Sequence, residues 1–228
     1  MSGPVAPWTL GGESIVCLAR GGGQVGPMPD GVRRLAGPCL VVAACYTGSP
    51  VGPYLELAVG EPARLGTRIG WCFTTMVVDS AAARVGGRAS WGFPKELGTL
   101  VWTRSGAERS MRWVERDVTV SAVAGRLRLP ALVPVRALQR RSDGPVVVPG
   151  RLRGLARVSR VSVSAPPSDP WSSLDGGHLG LVVDSMRFVV RPARQPFGLT
   201  STLRAPLHAP EPALSSSIPP VGAYSSVG

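Results

Sequence analysis

The chain is 228 residues long, 44% hydrophobic and only 17% charged, which describes a globular protein with a sizeable core and excludes a disordered polyelectrolyte. Its formal charge of +11 raises the question of nucleic acid. The arginines are spread along the chain, however, and the densest runs, 136–141 and 151–160, carry no aromatics for base stacking, so no nucleic-acid partner is expected.

Four cysteines, Cys17, Cys39, Cys45 and Cys72, form no C-x-x-C pair, and two histidines give no zinc-site spacing. No metal or other cofactor is expected, and the cysteines read as reduced apolar residues of a cytoplasmic protein. Met1 to Leu10 shows no basic stretch followed by an apolar run, and no segment is long and apolar enough to span a bilayer, so neither a signal peptide nor a membrane partner is expected.

In chain order, residues 1–12 are rich in Pro and Gly and read as an N-terminal arm. Glu13 to Arg20 is a strand, and Gly21 to Asp30 a loop. Cys39 to Tyr46, apolar throughout, has the pattern of a strand buried on both faces. Pro53 to Val59 alternates, which puts Tyr54, Glu56 and Ala58 on one face and Leu55, Leu57 and Val59 on the other. Trp71 to Val78 is a strand. Asp79-Ser80 then caps a short helix, Ala81 to Val85, stopped by Gly86-Gly87. Strands follow over 99–103, 111–116, 118–124 and 126–129. Residues 130–141 read as a short helix limited by Pro134. Strands over 146–148, 156–164 and 181–190 surround a loop at 165–178. From about residue 194 the chain is Pro/Ser/Ala-rich, a tail expected to be partly disordered. About ten short strands without a βαβ rhythm predict a mainly β fold, a barrel or sandwich, spanning residues 13–193.

One stretch carries chemistry. Of the 25 cationic residues only Lys95 is lysine, in Trp91-Gly-Phe-Pro-Lys95-Glu-Leu-Gly98. Arginine stays charged, whereas a lysine amine can lose its proton and attack a carbonyl, so a position that keeps lysine where all others use arginine is a candidate nucleophile. Phe93, Pro94 and Leu97 are apolar neighbours able to desolvate it.

This motif, preceded by Gly87-Arg88, resembles the core of acetoacetate decarboxylase-like proteins: Gly-Arg, a few residues, then Gly-(Phe/Tyr)-Pro-Lys-Lys. Pro53-Tyr54-Leu-Glu56 is similar to that family's Asp-Tyr-x-Glu strand, residues 72–79 to the strand before its Gly-Arg, and residues 180–190 to its closing strand. The resemblance implies a closed, cone-like β-barrel around a pocket, a homo-oligomer, and a cofactor-free carboxy-lyase acting on a small β-keto acid. Lys95 would form an imine with the ketone, the iminium then serving as electron sink for the departing CO₂. Glu56 would assist as a catalytic carboxylate, and Tyr54, Phe93 and Arg88 would bind substrate, Arg88 through its carboxylate. Arg20, Arg33 and Arg34 are candidates for a further carboxylate-binding arginine. The chain departs from the pattern where the second lysine is replaced by Glu96, whose carboxylate, if it touched Lys95, would hold the ammonium charged and oppose imine formation. That departure leaves open an imine-based aldolase, dehydratase or hydratase on a larger keto acid, and a non-catalytic small-molecule-binding barrel.

Overall fold

The computed structural model describes residues 4–21 and 24–196. Most of the tail expected from residue 194 onward, with His208, lies outside the described residues.

The described chain is one 11-stranded, mostly antiparallel sheet with a single α-helix. Its strands are β1 (Trp8–Ala19), β2 (Arg33–Arg34), β3 (Cys39–Gly48), β4 (Tyr54–Leu65), β5 (Arg68–Val78), β6 (Lys95–Leu97), β7 (Leu100–Ser105), β8 (Glu108–Trp113), β9 (Val118–Arg141), β10 (Gly144–Ser164) and β11 (Gly176–Val190), with α1 (Ala81–Trp91) between β5 and β6. Along the sheet the order is β6-β5-β4-β3-β1-β11-β10-β9-β8-β7, with β2 beside β4. The sheet curls until β9 returns to β5. There a parallel bridge joins Trp71 to Ala137, and the Gln139 amide and Arg136 guanidinium donate to the Phe73 and Ile69 carbonyls.

β1, β3 and β4 carry buried residues on both faces, as the apolar run Cys39 to Tyr46 foretells for β3. Ile15, Cys17, Val41, Ala43, Leu57 and Val59 enter one apolar cluster with β8, the start of β9 and the 3₁₀ turn Pro170–Leu174. Trp8, Leu10, Tyr46, Tyr54 and Ala58 face the opposite way into a second. The two-residue period of 54–59 therefore holds as expected.

Three expectations fail, each for a physical reason. The strand expected from Glu13 begins at Trp8, so much of the supposed arm is sheet; Trp8 is fully buried and stacks edge-on against Trp91. Residues 130–141 are not helix: β9 runs unbroken for 24 residues, in register with β10. Pro130 and Pro134 are tolerated because, between the pairings to β8 at Val123 and to β5 at Ala137, β9 has β10 as its one strand neighbour. The helix does not stop at Gly86-Gly87 but ends at Gly92, which takes the left-handed conformation (φ 71°) and donates its N–H to the Arg88 carbonyl. Its N-cap is Ser80, whose hydroxyl accepts from the Ala83 N–H, while Asp79 accepts from Leu55 instead. The paired glycines serve close approach. A Cβ on Gly86 would lie 2.5 Å from the Trp8 ring, and one on Gly87 only 2.6 Å from Cδ of Lys95. Tertiary packing thus accepts a helix-propensity cost of about 1 kcal/mol per glycine.

Candidate active site

The turn after α1 delivers the lysine. Gly92 ends the helix, Pro94 stiffens the approach, and β6 adds three residues parallel to β5, with Lys95 opposite Met76 and Glu96 opposite Val77. Alternation along β6 then separates the two side chains. Lys95 is buried at 3% exposure, whereas Glu96 is exposed on the other side. Glu96 therefore lies away from Lys95, and the contact through which it was expected to tune the amine is not made.

Lys95 projects into a cavity of about 380 Å³ inside the curl of the sheet. Its aliphatic stem packs over the bare backbone of Gly87, and its Nζ lies 2.7 Å from Oε2 of Glu56, itself 7% exposed. The nitrogen also sits 5.1 Å from the Tyr54 ring centre and 6.0 Å from that of Trp8. The Tyr46 hydroxyl donates to Oε1 of Glu56 at 3.2 Å. Burial first, then the Glu56 charge, pushes both tyrosine hydroxyls above the ordinary tyrosine range, so each is a protonated donor. Tyr46 spends its proton on Glu56. The Tyr54 side chain lines the cavity, and its buried hydroxyl has no hydrogen-bond partner among the described residues.

Lys95, Glu56, Tyr54 and Phe93 are thus brought together as the sequence predicts. Arg88 is not among them. Its guanidinium donates from Nε to the Lys95 carbonyl at 2.8 Å, tying α1 to β6 from outside the cavity. The other arginine candidates fail too. Arg34 is bound to Glu61 at 2.6 Å and to the Gly26 carbonyl, Arg20 and Arg33 are exposed, and among the described residues no arginine lines the cavity. Sequence reading missed Tyr46 and Trp8. Tyr46 could have been found by pairing β3 with β4 as a hairpin, which places it opposite Tyr54. Trp8 carries no such signal, because it reaches Lys95 from the first strand across the fold.

Chemically, the 2.7 Å contact sets Nζ and Oε2 within reach of a proton transfer. Passing a proton from Nζ to Glu56 leaves an uncharged amine, a carboxylic acid and an unused phenol donor in an apolar chamber, the components of carbonyl addition. No group of metal-ligating side chains occurs among the described residues, and none of their helices is long and apolar enough to cross a membrane. The cysteines are free. Burial pushes the Cys17 and Cys72 thiols up to about 12 and Cys39 to about 11, which leaves them inert.

Among solved structures, an acetoacetate decarboxylase from Legionella pneumophila subsp. pneumophila str. Philadelphia 1 superposes with a TM-score of 0.65 at 14% identity, covering 85% of this chain and 88% of that one. A second acetoacetate decarboxylase gives 0.62 at 15% identity, over 84% and 90% of the two chains. The enduracididine biosynthesis enzyme MppR gives 0.61 at 15% identity, over 84% and 88%. At such identities the likeness establishes the fold. No curated protein matches the chain. The sequence model of acetoacetate decarboxylase matches residues 29–161, and that span contains both the strand bearing Glu56 and the turn bearing Lys95. Because this match covers more than half of the chain, the protein belongs to the acetoacetate decarboxylase family.

Proposed function

We propose that the protein is a Schiff-base-forming carboxy-lyase acting on a β-keto acid. The observation that carries this reading is the burial of the chain's one lysine in a cavity, in direct contact with a carboxylate. Lys95 Nζ adds to the ketone, and the Tyr54 hydroxyl donates to the carbonyl oxygen. Glu56 returns the proton taken from the lysine to the carbinolamine oxygen, which leaves as water and gives an iminium. The bond to the carboxylate breaks, CO₂ leaves, and the electron pair moves to the iminium nitrogen to form an enamine. Glu56, reprotonated by the one proton that the overall reaction takes up from solvent, protonates the enamine carbon, and water then hydrolyses the resulting iminium to free ketone and the lysine ammonium. The cavity favours this step electrostatically. An iminium and a carboxylate collapse to two neutral species, a change that a low-dielectric site promotes.

A second reading keeps the imine but changes the outcome. With no arginine among the described residues of the cavity wall, the substrate can also be a larger keto acid held by other contacts, whose enamine would add to an aldehyde or lose water. One structure of MppR contains the condensation product of pyruvate and imidazole 4-carboxaldehyde, an outcome of this kind on the same fold. In both readings the curled sheet is a closed, cone-like barrel ending near residue 193, with the remaining residues an appendage, in a cytoplasmic homo-oligomer.

Borohydride trapping tests the proposal. Incubation with acetoacetate, pyruvate or a longer β-keto acid, followed by reduction and peptide mapping, is expected to place an adduct on Lys95, with CO₂ release selecting the carboxy-lyase. An adduct without CO₂ selects the second reading. Absence of any adduct refutes both and leaves a binding barrel.

A further inference from the structure

The cavity also indicates what the substrate looks like beyond its carbonyl. Seven non-hydrogen atoms of a four-carbon keto acid, at no more than a water's share of ~30 Å³ each, leave much of its 380 Å³ unfilled. Its volume falls in the ~300–1,000 Å³ range of pockets that enclose drug-sized ligands. The polar groups gather at one end, where Lys95, Glu56, Tyr46 and Tyr54 touch or adjoin one another. The remainder of the lining is almost entirely hydrocarbon. Two of its lining residues are well exposed, Leu18 at 48% and Val133 at 42%, each paired across strands with a lining leucine, Leu40 and Leu152 respectively.

We infer that the substrate is a β-keto acid whose ketone carries an extended hydrocarbon tail, seated with its carbonyl at Lys95 and its tail running out between Leu18 and Val133. This rests on the imine reading above. A small, strongly hydrated keto acid would enter past apolar side chains and meet no cation other than Lys95 among the described residues, at a desolvation cost that they do not repay. A tailed substrate gains from every methylene it buries. The missing arginine ceases to be an anomaly, because the iminium formed at Lys95 is itself the counter-charge of the carboxylate until CO₂ leaves. A filled shaft also keeps water from the iminium and the enamine.

The full chain is titrated with acetoacetate and with β-keto acids lengthened by two, four and six methylenes, reduced with borohydride, and the Lys95 adduct quantified by mass spectrometry. The half-saturating concentration is expected to fall about fourfold per added methylene, the ~0.8 kcal/mol of a buried CH₂, before levelling off when the tail reaches Leu18 and Val133. In Val133→Arg, at an already exposed position, the longest member is expected to lose at least tenfold while circular dichroism shows the same fold. A Lys95 adduct with flat chain-length dependence overturns the tail inference and leaves imine chemistry standing. So does an unaltered long-chain dependence in Val133→Arg. No adduct with any member overturns both.

Discussion

Strand β4 carries two buried carboxylates five residues apart, and they have opposite fates. Glu61 accepts from Arg34 at 2.6 Å, from the Thr74 hydroxyl at 2.7 Å and from the Gly26 N–H at 3.2 Å, so it has a permanently charged partner and two further donors. Glu56 has a lysine and one tyrosine, and faces a cavity. Geometrically both are close ion pairs. What separates them is whether the proton can move. A guanidinium keeps its proton, so Glu61 with Arg34 is a fixed clamp between the loop before β2 and the sheet, whereas in the proposed reaction Lys95 passes its proton to Glu56. The arginine bias of the chain makes the distinction legible, since the other resolved ion pairs all use arginine.

Lys95→Arg is the sharpest way to break the contrast, because it turns the reactive pair into a copy of the fixed one. Adduct formation and turnover are expected to fall by a factor on the order of 10⁴ or more, with the β-sheet circular dichroism spectrum retained. Arg34→Ala attacks the other side. Removing one member of a buried pair costs about 3 kcal/mol here, at the low end because the arginine is partly exposed, and should appear as a lower urea midpoint with unchanged Lys95 trapping per folded molecule. If trapping fell in step with stability, the two pairs would not be independent. Gly87→Ala is subtler. The new methyl displaces the Lys95 stem while improving helix propensity, so single-turnover trapping should slow by up to about 10²-fold with little change in melting temperature. Glu96→Gln, finally, should change neither the trapping rate nor its pH profile, because that side chain is exposed on the far side of β6. A shifted pH profile would restore Glu96 to the site.

Sequence singled out the residue proposed as reactive, and with the family resemblance its first partner. A lone lysine in an arginine-rich chain singles itself out by chemistry, and period-two alternation puts Glu56 and Tyr54 on one face, because pleating is a local property, although that face lines the cavity only once the sheet curls. The mainly β character was legible for the same reason. Tertiary structure decided everything that depends on approach through space. Glycine in sequence signals helix termination and close packing alike, so only the seating of Trp8 and Lys95 against α1 shows that Gly86 and Gly87 are interior. Pro130 and Pro134 read as breakers until β9 is seen with one strand neighbour beside them. Arg88 is adjacent to the motif in sequence yet grips its backbone from outside, whereas Tyr46, 49 residues upstream of Lys95, shares its carboxylate. The apolar wall that sets the size and polarity of the site is assembled from strands at both ends of the chain, and no local pattern encodes a surface whose members meet only when the sheet curls.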